Sequence, residues 1–117
     1  MLVLRGEIRL VDFEPVRGSE ASKQRPAVVV SNDGANTTAS RLNRGVITVV
    51  PVTSSILRVY PFQVLLPASK CGLDRDSKAQ AEQVRAVSIE RIGRRIGQVP
   101  AAILSELEDA LRLHLGL

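Results

Sequence analysis

Arg25-Pro26-Ala27-Val28-Val29-Val30-Ser31-Asn32 decides the fold class. Ala27 to Val30 is a short unbroken apolar run rich in β-branched residues, the pattern of a strand buried on both faces. Gly45-Val46-Ile47-Thr48-Val49-Val50 repeats it. Upstream, Glu7-Ile8-Arg9-Leu10-Val11-Asp12-Phe13 alternates polar and apolar residues as a half-buried strand does, until Pro15 to Gly18 breaks it and a turn-rich loop runs to Gln24. Between the two apolar runs, Asn32 to Asn43 is polar and contains Gly34, so it reads as a loop with room for one helical turn.

Working towards the C-terminus, Phe62 to Leu66, bounded by Pro61 and Pro67, predicts a fourth strand; Ala81 to Val87 predicts a fifth and Arg95 to Val99 a weaker sixth. From Pro100 the period changes: Ile103, Leu104, Leu107, Ala110, Leu111 and His114 recur at helical spacing and Gly116 suits the C-terminal cap. Short strands separated by Gly/Pro loops favour a small barrel, because closure removes exposed edges. The expected class is mainly β with α, a small β-barrel ending in an amphipathic helix. Val, Ile and Leu must fill its interior, since aromatic residues are 3% of the chain.

The chain has 117 residues, enough for one core and too few for two, so residues 1–117 are expected to form a single domain. One Cys (Cys71) and one His (His114) leave no intramolecular disulfide, no Cys/His zinc cluster and no histidine pair within a protomer. Cys71 reads as a residue of a Ser69 to Gly72 loop, and His114, on the face of Leu107 and Leu111, as a packing or interface residue. Met1 to Glu7 reaches charge too early for a signal peptide, and no apolar run has membrane-spanning length, so a soluble, cytoplasmic protein is expected, with no membrane partner. The net charge is +4, and Arg supplies 13 of the 16 cations; its rigid fork of donors matches phosphate.

Reactive side chains fall in three clusters at strand ends or in loops: Gly18 to Pro26, Pro51 to Ser55, and Asp74 to Ser77 together with Glu82 to Arg85. Each alone is an ordinary feature of a small domain. Their order is more specific. Arg5-Gly6-Glu7-Ile8, Val11-Asp12-Phe13, Gly18-Ser19-Glu20, Arg25 to Asn32, Pro51-Val52-Thr53-Ser54, Asp76-Ser77, Glu82-Gln83-Val84-Arg85 and the Leu115-Gly116-Leu117 end together resemble the MazF/PemK family of toxin endoribonucleases. Many members carry Gln after the Gly-Ser-Glu, where this chain has Ala21.

The resemblance implies an SH3-like (PemK-like) barrel that forms a homodimer and cleaves single-stranded RNA without metal or other cofactor. It also implies a cognate small acidic antitoxin, through which alone the protein would meet DNA. Arg25 and Thr53 match the family's catalytic pair, and Glu20 matches an acidic residue implicated in some members. Attack by the substrate's own 2′-OH would leave a 2′,3′-cyclic phosphate and a 5′-OH. Arg25 suits a bidentate phosphate clamp, Thr53 a hydroxyl donor to a non-bridging oxygen, and Glu20 the base. Arginine is cationic at neutral pH, which suits it to stabilise charge or donate a proton and not to act as the base.

For RNA contacts, Ser19, Gln24, Asn32 and Gln83 offer hydrogen-bonding groups, Lys23 and Arg85 phosphate contacts, and Tyr60 a ring on which a base can stack. Phe62 is expected in the core. Two rivals remain at this level: a gyrase-directed toxin of related fold, against which the absence of Trp and the Leu-Gly-Leu end argue, and a non-catalytic nucleic-acid-binding barrel.

Overall fold

A computed structural model of the chain describes residues 1–13 and 23–117. The reactive Gly18-Ser19-Glu20 segment, with Ala21 beside it, lies outside the described residues. Seven strands form one antiparallel sheet: β1 (Glu7–Asp12), β2 (Gln24–Val29), β3 (Val46–Thr53), β4 (Gln63–Leu66), β5 (Ser77–Gln80), β6 (Arg85–Ser88) and β7 (Ile92–Gln98). There are three α-helices, α1 (Asp33–Leu42), α2 (Ala68–Cys71) and α3 (Ala101–Leu115), and two 3-10 turns, Ala81–Gln83 between β5 and β6 and Ile89–Arg91 between β6 and β7. The mainly-β class with a C-terminal helix is the expected one.

The apolar run that predicts a two-sided strand behaves as one. Val28 enters a core with Ile8, Val50, Leu66 and Leu107, while its neighbours Ala27 and Val29 enter a second core with Val11, Ile47, Val49 and Ile92. Alternate residues of β3 divide the same way, Val50 and Val52 to the first core and Ile47 and Val49 to the second. Fully burying one such side chain is worth about 1.5–3 kcal/mol. That period-two alternation fixes the register, since a one-residue slip would exchange the contents of the two cores.

Closure of the sheet is where the structure departs from the barrel expectation. Along the path β4-β5-β3-β2-β1-β7 the terminal strands are not paired with each other, and β6 pairs the first half of β3 while β5 pairs its end. Other elements cover the two ends. Helix α3 packs on β4 and on the first 3-10 turn. Helix α2 follows β4 directly and its last residue backs onto β7: a Cβ on Gly97 would collide with the Cys71 carbonyl oxygen. Glycine at 97 thus lets a helix fill the seam where strand hydrogen bonding would otherwise close the ring.

Further expectations are corrected. Asn32 to Asn43 is not a loop; it holds the ten-residue helix α1, started by Asn32, whose side chain accepts from the Ala35 N–H, and ended by Asn43 at φ 48°. Its buried residues are Asn36 and Ala39, so no apolar stripe betrays it. Hydrogen bonds dock it instead: Asn36 Nδ2 donates to the Ser31 carbonyl (2.7 Å) and Val3 N–H to Ser40 Oγ (3.0 Å). The single strand expected over 81–87 is a 3-10 turn followed by β6, with β5 before it. Cys71 is no loop residue but the buried end of α2. Phe62, expected in the core, is half-buried, and His114 is exposed on α3. No helix among the described residues is long and apolar enough to cross a membrane.

Candidate active-site cleft

Arg25 and Thr53 belong to adjacent strands. Strands β2 and β3 run antiparallel with Ala27 opposite Pro51 and Val29 opposite Val49, so two residues further the same register sets Arg25 opposite Thr53. Both side chains line one cleft of about 690 Å³, shared with Phe13, Ser54, Asp74, Arg75, Gln80, Gln83 and Arg85 and floored by Val52, Leu73 and Ile96. Core residues lie close behind both strand ends, Ala27 two residues from Arg25 and Val52 next to Thr53. Arg25 is exposed and Thr53 half-buried.

The electrostatics of the cleft are those of an anion site. Three guanidinium groups, of Arg25, Arg75 and Arg85, line it, and among the described residues none of the three is paired with a carboxylate within salt-bridge distance. Arg85, at the start of β6 opposite Val49, holds its guanidinium 5.0 Å from the centroid of the Phe13 ring. A planar guanidinium stacked in this way keeps its edge donors directed outward. Thr53 Oγ1 accepts the Ser55 N–H at 3.2 Å. Its own O–H remains available to an incoming acceptor. Gln80 and Gln83 add side-chain amides, and Asp74 is the one carboxylate among the described residues of the lining.

The structure brings together Arg25, Thr53, Gln83 and Arg85 from the expected site residues. None of the other expected residues that are described lines the cleft. Asn32 sits at the far end of β2, seven residues and roughly 20 Å of extended chain from Arg25, where its side chain caps α1. Gln24 pairs with Asp12, and its amide is turned to Gly93 of β7. Lys23 is exposed outside the cleft lining. The Tyr60 ring is occupied: it stacks on Phe62 at 5.5 Å with 5° between planes, and Lys78 Nζ lies 5.9 Å from its centroid. Ser19 and Glu20 lie outside the described residues. Arg75, Asp74, Ser54 and Gln80 are cleft residues the sequence reading had not assigned. The cluster Asp74 to Ser77 marked the first two, but nothing in their spacing told which of them faces β2.

Glu82, flanked by cleft residues, points elsewhere. Its Oε2 accepts from Gln63 Nε2 at 2.7 Å, and Oε1 is buried without a hydrogen-bond partner among the described residues.

A small antiparallel sheet with terminal helix, carrying a cationic cleft where β2 begins and β3 ends, defines the class to which comparison with known proteins assigns this chain. The model of the PemK-like, MazF-like toxins of type II toxin-antitoxin systems matches residues 4–115, and the chain belongs to that family. It is similar to endoribonuclease MazF9 of Mycobacterium tuberculosis (strain ATCC 25618 / H37Rv), 65% identical over 116 residues that cover 99% of this chain and 98% of the relative. Among solved structures it resembles MazF (Form-I) from Deinococcus radiodurans, with TM-score 0.77 and 28% identity over 100% of this chain and 99% of that one. A MazE-MazF structure (Form-III) from the same organism gives TM-score 0.77 and 27% identity with the same coverage.

Proposed function

We propose that this chain is the endoribonuclease toxin of a toxin-antitoxin pair, one toxin domain over residues 1–117 that cuts single-stranded RNA in the cleft between β2 and β3. The observation that carries the reading is the convergence of Arg25 and Thr53 from neighbouring strands on a cleft lined by two further guanidinium groups. Endoribonuclease is the activity in the name of the 65% identical relative.

The substrate's 2′-OH attacks the adjacent phosphorus, its proton passing to a base as the 2′-O–P bond forms. The P–O5′ bond then breaks, the 5′-oxygen takes up a proton, and a 2′,3′-cyclic phosphate remains. Arg25 clamps two phosphate oxygens and meets the charge that grows on them, and it stands as the proton donor to the leaving 5′-oxygen. Thr53, its Oγ1 already accepting from Ser55, donates its hydroxyl to a non-bridging oxygen. Glu20 is assigned the base. Arg75 and Arg85 hold flanking phosphates, and Gln83 and Gln80 face base edges.

The reaction needs no metal in this scheme, so EDTA is expected to leave the rate unchanged. The antitoxin is expected to be a small acidic chain, partly disordered when free, whose charge complements the +4 of the toxin. MazE-MazF complexes of a relative support this partnership. DNA would be met only through that antitoxin. A homodimer would lengthen the groove, and the cytoplasm would hold both partners and substrate.

Incubating the purified protein with a long RNA and mapping product ends tests the reading. Discrete cuts with cyclic-phosphate ends support it, and Arg25→Ala and Thr53→Val, folded as wild type, are expected to slow them by roughly 10²–10³. Salt-sensitive RNA binding without cuts would point to a non-catalytic module, and a gyrase-dependent effect without cuts to the other toxin class.

A further inference from the structure

We propose that Lys78 is a positioning residue for the reaction at Thr53: its ammonium straps down the loop that leaves Thr53 and so fixes the loop end that lines the cleft. This rests on the ribonuclease reading above.

Lys78 is a buried cation with an unusual set of partners. It lies on β5 directly opposite Thr53, so the two side chains leave the same face of the sheet. It is 8% exposed. Nζ donates to the Arg58 carbonyl oxygen at 2.7 Å and lies 5.9 Å from the Tyr60 ring centroid. No carboxylate among the described residues pairs with it. Burying an ammonium is strongly unfavourable unless it is hydrogen-bonded, and here both recorded partners belong to the β3–β4 loop, residues 54–62. Loop and ammonium therefore depend on each other.

A second tie secures the far end of the same loop. Gln63 Oε1 accepts the Tyr60 N–H at 3.1 Å, and the Gln63 N–H donates to the Tyr60 carbonyl at 2.8 Å. The Gln63 amide in turn donates to Glu82, next to the cleft residue Gln83. With Glu82 Oε1 already unpartnered among the described residues, losing Gln63 would remove the hydrogen bond that Oε2 accepts as well.

Most of the loop faces solvent, with Ile56 and Phe62 half-buried. Leu57 is 96% exposed, Val59 44% and Tyr60 43%, and Ser54, Ser55 and Arg58 are exposed as well. A segment with so few buried apolar contacts has low local stability unless polar ties supply it. Its first residue, Ser54, lines the cleft, and the Ser55 N–H is what orients the Thr53 hydroxyl. Release at Arg58 would thus be felt at Thr53, through backbone, as a loss of orientation with no loss of substrate contacts.

The test compares wild type with Lys78→Met, which keeps the stem and removes the ammonium, and with Lys78→Arg, which restores a charged donor. Amide hydrogen exchange reads the loop, and steady-state cleavage of an oligonucleotide spanning a mapped cut site reads the chemistry. For Lys78→Met, exchange over 54–62 is expected to speed up about ten- to a hundredfold, the effect of one hydrogen bond to a charged group. Val49 and Val50 of β3 should exchange as before. The same variant should lower kcat by about tenfold or more while KM stays within about twofold, the pattern of lost orientation. Lys78→Arg should recover most of both.

Unchanged exchange over 54–62, an unchanged kcat, a rise in KM alone, or faster exchange throughout β3 and α3 would each overturn the proposal. Should Lys78→Met fail to fold, Lys78→Gln replaces it in both measurements. If the wild-type protein cut no RNA, the ribonuclease reading would fall, whereas the exchange data would still decide whether Lys78 straps the loop.

Discussion

Arg25 and Thr53 are separated by 27 intervening residues in sequence and brought together by one register, Ala27 opposite Pro51. Removing the guanidinium or the hydroxyl touches no core side chain, so Arg25→Ala and Thr53→Val should unfold at the wild-type denaturant midpoint. Each should lower kcat by roughly 10²–10³, the usual effect of losing one donor to a developing oxyanion. Arg25→Lys should recover little of that loss, because a point charge does not replace a bidentate fork. The pH–rate profile tests Glu20 as the base: Glu20→Gln should remove its acid limb, and Asp74→Asn, at a carboxylate lining the cleft, should leave that limb in place. Cys71 carries a different pH signature. Burial pushes its thiol up from the ordinary 9.0, with Lys70 pulling the other way more weakly. Below that ordinary value both folded and unfolded chains keep the proton. As pH rises through it the unfolded chain loses its proton first, so native stability declines. Denaturant midpoints at neutral pH and above the ordinary value, compared between wild type and Cys71→Ala, should show a steeper alkaline fall for wild type. At this scale the sequence marks an arginine before a buried strand and a threonine ending one, and the fold sets the two on adjacent strands at one cleft. The sequence was not legible where direction matters. Asn32 and Arg25 flank the same strand, yet only the latter's end opens on the cleft, and the Tyr60 ring is taken up by Phe62 and Lys78.

Elements whose residues alternate or recur with a period were readable from sequence; those held by polar bonds were not. Strands β2 and β3 and helix α3 bury apolar residues at spacings of two and of three or four, and they stand within a few residues of the expected bounds. Helix α1 buries an asparagine and an alanine, so its evidence lay in the caps, Asn32 before it and the left-handed Asn43 after it. Asn32→Ala should therefore destabilise the fold by about 1 kcal/mol, the typical value of an N-cap. It should leave kcat/KM for RNA unchanged, which distinguishes a cap from a base contact; a selective rise in KM would restore Asn32 to the RNA site. Helix α2 is four residues long and too short to show a period at all. Its seat depends on Gly97, where any side chain meets the Cys71 carbonyl. Gly97→Ala should destabilise by about 1–3 kcal/mol, as overpacking of a tight site does. Chemical denaturation would measure it.

On the scale of the whole molecule, the two-sided sheet organises everything else. Its first core is roofed by α3, and Arg5 fastens that roof, donating from Nε to the Val30 carbonyl (3.0 Å) and from Nη2 to Glu108 Oε2 (2.9 Å). On the other side Arg9 is buried with Glu7 at 3.0 Å and caps the Leu2 and Gly93 carbonyls, which fixes the N-terminus against β7. The expectation of a closed ring failed because helices, not strands, cover the sheet's ends, an outcome composition does not encode. What the fold does with its net charge is place Arg25, Arg75 and Arg85 on one cleft. Binding of an RNA blocked at its cut site should weaken with salt, with a log–log slope of about −2 from these three contacts in single-stranded RNA. Arg85→Ala should flatten that slope by roughly 0.7. The central claim, that the substrate's own 2′-OH is the nucleophile in the Arg25–Thr53 cleft, is tested most directly by one substitution in the RNA. An oligonucleotide with a single 2′-deoxy residue at the mapped cut site should bind as the all-ribose strand does and remain uncut, while the all-ribose strand gives a cyclic-phosphate end. Cleavage of the deoxy-substituted strand at that site would contradict the account.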